Sequence, residues 1–166
     1  MSNLKGLLCY SRRDFEKVLS VQGIFTVSDI PKNLAVIQIL ETLDCLKYYN
    51  SDDEFYFKEE SDRVLNLQFD DLDSDLEKDG FHFKTITEEQ AENSVKFILE
   101  HLGDSFIISC RAGKSRSQAF IRFILDTFPE RYDQTMINIL NPPITPNIEV
   151  LSKLKRAFRE LTDENT

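Results

Sequence analysis

One short stretch of this sequence gathers the groups that handle an oxyanion: Ser109-Cys110-Arg111-Ala112-Gly113-Lys114-Ser115-Arg116-Ser117. The apolar run Phe106-Ile107-Ile108 precedes it, and Ala119, Phe120, Phe123, Ile124 and Leu125 follow at helical spacing. The stretch therefore reads as a tight loop, Cys110 to Arg116, leading from a buried strand into a helix. Such a loop turns several backbone N–H groups toward one point, and the helix dipole adds positive potential there. A phosphate fits that nest. Gly113 permits the backbone angles and the close approach the loop needs. Arg116 is placed to fold back and grip two phosphate oxygens at once, which lysine cannot do. Cys110 stands at the mouth in the same positive field, which favours the thiolate, the form that attacks phosphorus. The expected phosphate-binding set is Arg111, Ala112, Gly113, Lys114, Ser115 and Arg116.

Other chemistry-bearing residues are less persuasive. Asp71-Leu72-Asp73-Ser74-Asp75 resembles an aspartyl-nucleophile motif, but that motif wants Thr or Val where Asp75 stands. A calcium loop counted from Asp71 wants Gly and Glu where Leu76 and His82 stand. The stretch reads instead as a solvated acidic loop with one functional aspartate. His82 and His101 are isolated from any second ligand at metal spacing, so each reads as a surface or helix-end residue, and neither a metal nor a cofactor is expected. Cys9 and Cys45 read most simply as core residues, although either is a candidate to pair with Cys110 under oxidation.

The elements that must position the loop alternate strand and helix. Leu4 to Tyr10 reads as a strand, and Ser11 with Asp14 as a helix start before Phe15, Val18 and Leu19. Gly23 ends that helix, and β-branched Ile24 to Val27 reads as a second strand. Asn33 to Tyr48 carries Leu34, Ile37, Leu40 and Leu43 at helical spacing. Asn50 to Asp62 reads as a surface loop or edge element, its Phe55-Tyr56-Phe57 cluster packing it down rather than lining a substrate groove. Val64 to Phe69 is the next strand and runs into the acidic segment Asp70 to Asp79. Thr87 and Gln90 form a capping box for a helix whose buried stripe is Ala91, Val95, Ile98 and Leu102, with Gly103 as its stop. Further helices fit Glu130 to Leu140 and Asn147 to Leu161, the latter capped by Asn147. The expected fold is one α/β domain, residues 1–166, with a largely parallel sheet of four to five strands flanked by helices. Ligands in such sheets bind beyond the carboxyl ends of the strands, where the Cys110 loop lies.

Composition agrees with an intracellular globular protein. The 166 residues include 41% hydrophobic ones, enough for one core, and carry a net charge of −9. That charge disfavours nucleic acid and anionic lipid as non-specific partners. The 13 Phe residues are core material rather than a base-stacking platform, because no basic residues interleave with them. No stretch approaches the ~20 apolar residues of a membrane span. The opening residues meet charge too early for a signal peptide, and three cysteines do not make a disulfide framework. A cytoplasmic location is expected.

Cys110, five intervening residues, Arg116 and then Ser117 resemble the Cys-x5-Arg signature of the protein tyrosine and dual-specificity phosphatase superfamily. Ala112-Gly113 and Ser115-Arg116-Ser117 look like its dual-specificity branch. The stretch from Val64 to Ser117, with Asn141-Pro142-Pro143 and Pro146-Asn147 beyond it, is similar to small bacterial and phage tyrosine-phosphatase-like proteins. The resemblance is strong at Cys110 to Ser117, loose elsewhere, and absent from Asn33 to Asp62. It implies a dual-specificity-phosphatase-like fold and metal-independent hydrolysis of phosphomonoesters through a phosphocysteine. It makes Cys110 the nucleophile, Arg116 the phosphate clamp and Ser117 the group that stabilises the departing thiolate. The general acid falls on the loop after Phe69, with Asp71 aligning best and Asp70 the runner-up. The implied substrates are phosphotyrosine and also phosphoserine or phosphothreonine in proteins. Two other readings stay open. Basic Arg111 and Lys114 look like the lipid-phosphatase branch, which takes phosphoinositides or inositol phosphates. Ser109 replaces the usual histidine before the nucleophile, which admits a weakly active or non-catalytic phospho-binding module.

Overall fold

The computed structural model describes residues 5–133, 137, 141 and 145–163. Along the chain these form Leu7–Ser11 (β1), Arg12–Val21 (α1), Leu34–Leu40 (β2), Leu43–Tyr48 (α2), Val64–Gln68 (β3), Leu76–Lys78 (β4) and Phe81–Phe83 (β5). Glu88–Glu100 (α3), Ser105–Cys110 (β6), Arg116–Thr127 (α4) and Ile148–Asp163 (α5) follow. Four strands make one all-parallel sheet in the order β1-β6-β2-β3, and β4 and β5 form a separate antiparallel hairpin.

The apolar run of β6 has no polar alternation because both sheet faces are covered. Phe106 and Ile108 join Ile37, Ile39 and Leu67 under α3, α4 and α5, while Ile107 joins Val36 and Val64 under α1 on the opposite face. Each fully buried Phe or Ile contributes roughly 1.5–3 kcal/mol of transfer free energy. Gln38, the polar interruption in β2, is buried and pins the 50–62 loop, its Oε1 accepting from Phe57 N (3.0 Å) and its Nε2 donating to Phe57 O (3.1 Å). Tyr56 completes the attachment by donating its hydroxyl to Ile24 O at 2.7 Å. The aromatic cluster thus packs its loop down onto Phe15.

Helix boundaries follow the expected caps. Ser11 Oγ accepts from Asp14 N at the start of α1, Thr87 and Gln90 make a reciprocal capping box on α3, and Asn147 Oδ1 accepts from Val150 N at the start of α5.

Three expectations are corrected. Ile24 to Val27 is not a strand, because Asp29 Oδ2 takes the Phe25 and Thr26 N–H groups (both 3.0 Å) and closes a short 3-10 turn at Val27–Asp29. With these two donors taken by a side chain, the segment cannot form a regular ladder with a sheet neighbour. Asn33 to Tyr48 is not one helix. Its first half is β2, a near-unbroken apolar run with Val36, Ile37 and Ile39, and burial between β6 and β3 overrides the helical spacing. Its second half is α2, which Thr42 caps by accepting from Cys45 N. The acidic segment after Asp70 is not all loop either: Asp79 and Gly80, at φ 53° and 82°, turn the β4-β5 hairpin. The helix expected over Glu130 to Leu140 and the Asn141-Pro142-Pro143 segment lie largely outside the described residues.

Candidate active site

Parallel strands bring their carboxyl ends to one edge, and the candidate residues all lie just past those ends. Ser11 and Cys110 are register partners at the tips of β1 and β6. Leu40 and Gln68 are partners at the tips of β2 and β3, so Glu41 and Phe69 to Asp71 follow directly. A cavity of about 280 Å³ opens here. Cys110, Arg111, Ala112, Ser115 and Arg116 line one side of it, Glu41, Cys45, Asp70 and Asp71 another, and Tyr49, Leu72 and Phe83 supply apolar wall.

The loop from Cys110 to Arg116 folds tightly over the end of β1. Gly113 sits at φ 69°, and a Cβ there would come within 2.6 Å of Ser11 N and 2.7 Å of Tyr10 C. Both the backbone angle and the close approach therefore require glycine. Arg12 N donates to Arg111 O at 3.3 Å, and Cys9 Sγ contacts Gly113 O at 3.6 Å. Ser115 occupies the N-cap of α4 without capping it. Its hydroxyl turns to Asp71 instead, so the first-turn N–H groups keep no side-chain acceptor from the cap. Cys110 Sγ and Ser117 Oγ are hydrogen-bonded at 3.2 Å, both buried. Arg111 and Lys114 are exposed at the mouth, and among the described residues neither forms an ion pair.

Arg116 is buried, and its guanidinium is held from behind. Nη1 donates to Phe69 O and Nη2 to Glu41 Oε1, both at 2.7 Å, while Nε is buried with no partner among the described residues. Glu41 turns its other oxygen to Arg12 Nη2 at 3.0 Å, and Arg12 Nη1 reaches Asp53 at 2.7 Å. Burial alone would push the Glu41 carboxyl up; the Arg116 guanidinium, with Arg12 behind it, overrides this and holds it below the usual range. Glu41 and Arg12 were not singled out from the sequence. Had Leu34 to Leu40 been read as a strand, a glutamate at its carboxyl end would have marked the ligand edge.

The two adjacent aspartates have different surroundings. Asp70 is buried, and its carboxylate accepts from Thr42 N (2.9 Å), Thr42 Oγ1 (2.8 Å) and Lys84 N (2.8 Å), bracing the start of α2 to the end of the hairpin. Asp71 faces the cavity rim and accepts at Oδ1 from Ser115 Oγ (2.7 Å) and Asn147 Nδ2 (2.8 Å). His101, at the C-cap of α3, bonds Asp104 and Asp62 O far from the cavity, and His82 lies on β5. Ser109 is buried in β6.

Both remaining thiols sit near the site. Burial, with Cys110 close by, pushes the Cys9 thiol up to about 11. Burial, reinforced by Asp70 and Glu41, pushes Cys45 up to about 12. Iodoacetamide at pH 7 is thus expected to leave both unmodified in the folded protein, since the neutral thiol is unreactive. The unfolded chain releases these protons from about pH 9.0 while the folded state retains them, so stability should fall as pH rises above that value. Peptide mapping after alkylation and a melting series from pH 8 to about 11 check the two effects; early labelling of Cys9 or Cys45 at pH 7 would contradict the burial argument.

No family model matches the sequence, and no curated protein sequence matches it. Among solved structures, the chain is similar to PTPMT1, determined in complex with PI(5)P, at TM-score 0.50 and 13% identity over 100% of this chain and 98% of that one. A human tyrosine phosphatase-like serine/threonine/tyrosine-interacting protein is also similar, at TM-score 0.44 and 18% identity over 83% and 87%. Among the described residues no helix is long and apolar enough to cross a membrane. The chain has an α/β fold shared with PTPMT1, with a four-stranded parallel sheet between layers of helices.

Proposed function

We propose that the chain, as one catalytic domain, hydrolyses phosphomonoesters through a phosphocysteine on Cys110. The observation that carries this reading is the buried Arg116 Nε, without a partner among the described residues, on a residue that lines one cavity with Cys110 and starts a helix whose N-terminus is left uncapped by Ser115. A bound phosphoryl group would satisfy these donors together. In the first step Cys110 sulfur bonds to phosphorus as the ester oxygen leaves. Arg116 and the N–H groups of Arg111 to Ser115 hold the three equatorial oxygens. The leaving oxygen of tyrosine has a pKa of ~10, so Asp71 delivers a proton to it. In the second step Asp71 takes a proton from water, whose oxygen bonds to phosphorus while the thiolate departs toward the Ser117 hydroxyl. No step uses a metal, and turnover should persist in EDTA.

Phosphotyrosine in proteins, with phosphoserine and phosphothreonine beside it, is the favoured substrate class, in line with the apolar wall of Tyr49, Leu72 and Phe83. Arg111 and Lys114, exposed and without an ion pair among the described residues, favour a second reading in which they meet additional phosphates of an inositol phosphate or phosphoinositide. Phosphopeptides and inositol phosphates assayed side by side decide between them; turnover of inositol phosphates alone would reverse the order. Asp71→Asn is expected to lower turnover on the order of 10²–10⁴-fold for phenyl phosphate and far less for an activated aryl phosphate. Equal slowing of both would remove Asp71 from the acid role.

A further inference from the structure

We infer that Asn147 is the positioning residue for proton transfer by Asp71, fixing which carboxylate oxygen carries the proton; the inference rests on the general-acid reading above. Asn147 Nδ2 donates to Asp71 Oδ1 at 2.8 Å and to Leu72 O at 3.2 Å. Ser115 Oγ donates to the same Asp71 oxygen at 2.7 Å. An oxygen already receiving two donors has no room for a proton of its own, so Oδ2 is left to bind the proton and hand it to the leaving oxygen.

The amide cannot serve equally well turned over. Its Oδ1 accepts from Val150 N at 3.0 Å as the cap of α5, which obliges Nδ2 to face Asp71. Asn147 N donates to Ser115 O at 3.1 Å, so one buried residue ties the phosphate loop, the acid loop and the start of α5 together. Its base is firm, because Val150, Leu154 and Ala157 of α5 are buried in the main core under α3 and α4. The acid is thereby held over the phosphate loop before substrate arrives, and misplacement by even 1 Å costs on the order of 10²-fold.

Asn147→Asp and Asn147→Ser both keep an oxygen that caps α5 and lose the amide donor. With phenyl phosphate, kcat is expected to fall on the order of 10–100-fold in both, with KM nearly unchanged. An activated aryl phosphate, which needs no proton, should be turned over at close to the wild-type rate. Val150 N–H should stay protected from hydrogen exchange, because the cap of α5 survives in both variants. Equal slowing for all leaving groups, or none, overturns the inference. Asp71→Asn, run in parallel, separates the two claims. If Asp71→Asn discriminates between leaving groups and the Asn147 variants do not, only the positioning role is lost. If Asp71→Asn itself shows no discrimination, the general-acid reading fails and carries this inference with it.

Discussion

Cys110→Ser is expected to abolish turnover, by on the order of 10⁴-fold or more, while leaving the affinity for inorganic phosphate within a few-fold of wild type. The two effects separate because different groups produce them. In the proposed mechanism binding rests on the loop amides and on Arg116, which is held by Phe69 O and Glu41 rather than by the sulfur. Attack on phosphorus rests on the sulfur, since a serine hydroxyl is a far weaker nucleophile without an adjacent base. The substitution should fold, because serine is smaller and its hydroxyl inherits the contact with Ser117 Oγ. Calorimetry with phosphate and a turnover assay on the same preparation check both halves. Residual activity above a few per cent of wild type would remove Cys110 from the nucleophile's role. A variant that is inactive and also fails to bind phosphate would mean that the sulfur organises the loop.

What was legible in the sequence follows from range. The stretch Cys110 to Ser117 is contiguous, and its geometry is written in neighbouring residues: a glycine where a Cβ would strike Tyr10 and Ser11, an arginine in the first turn of a helix, a cysteine at the strand end. The caps at Ser11, Thr87 and Asn147 are local for the same reason. Glu41 and Arg12 were illegible because their meaning arises only when β1, β2 and β6 lie side by side, and the misread helix over β2 hid where Glu41 falls. The choice between Asp70 and Asp71 turns likewise on partners at Thr42, Lys84, Ser115 and Asn147, none of them close in sequence. Patterns of burial show which face a residue takes; they do not show which distant polar group it meets there.

Glu41 makes the converging charges testable. It lies between two guanidinium groups that are themselves nearly inaccessible, Arg116 at 5% and Arg12 at 12% side-chain exposure. Glu41→Gln keeps the shape and one acceptor but removes the charge, leaving, among the described residues, Arg116 without an ionic partner and Arg12 with half-exposed Asp53. Breaking a buried pair on one side costs about 3–5 kcal/mol, which for a chain of this size lowers Tm by roughly 6–20 °C. The sign of the pH dependence is fixed by the lowered Glu41 pKa. Its contribution is present in full above the ordinary carboxyl value of 4.5 and is lost as pH falls through the lower folded value. The wild type should therefore lose stability in acid faster than the variant, and the gap between their melting curves should narrow as pH falls below 4.5. Turnover should fall as well, because the Arg116 guanidinium loses the charged acceptor that holds its Nη2. A gap that stays constant from neutral pH into acid would show that Glu41 stabilises the fold by shape and hydrogen bonding alone. The charge would then serve neither the core nor the aim of Arg116.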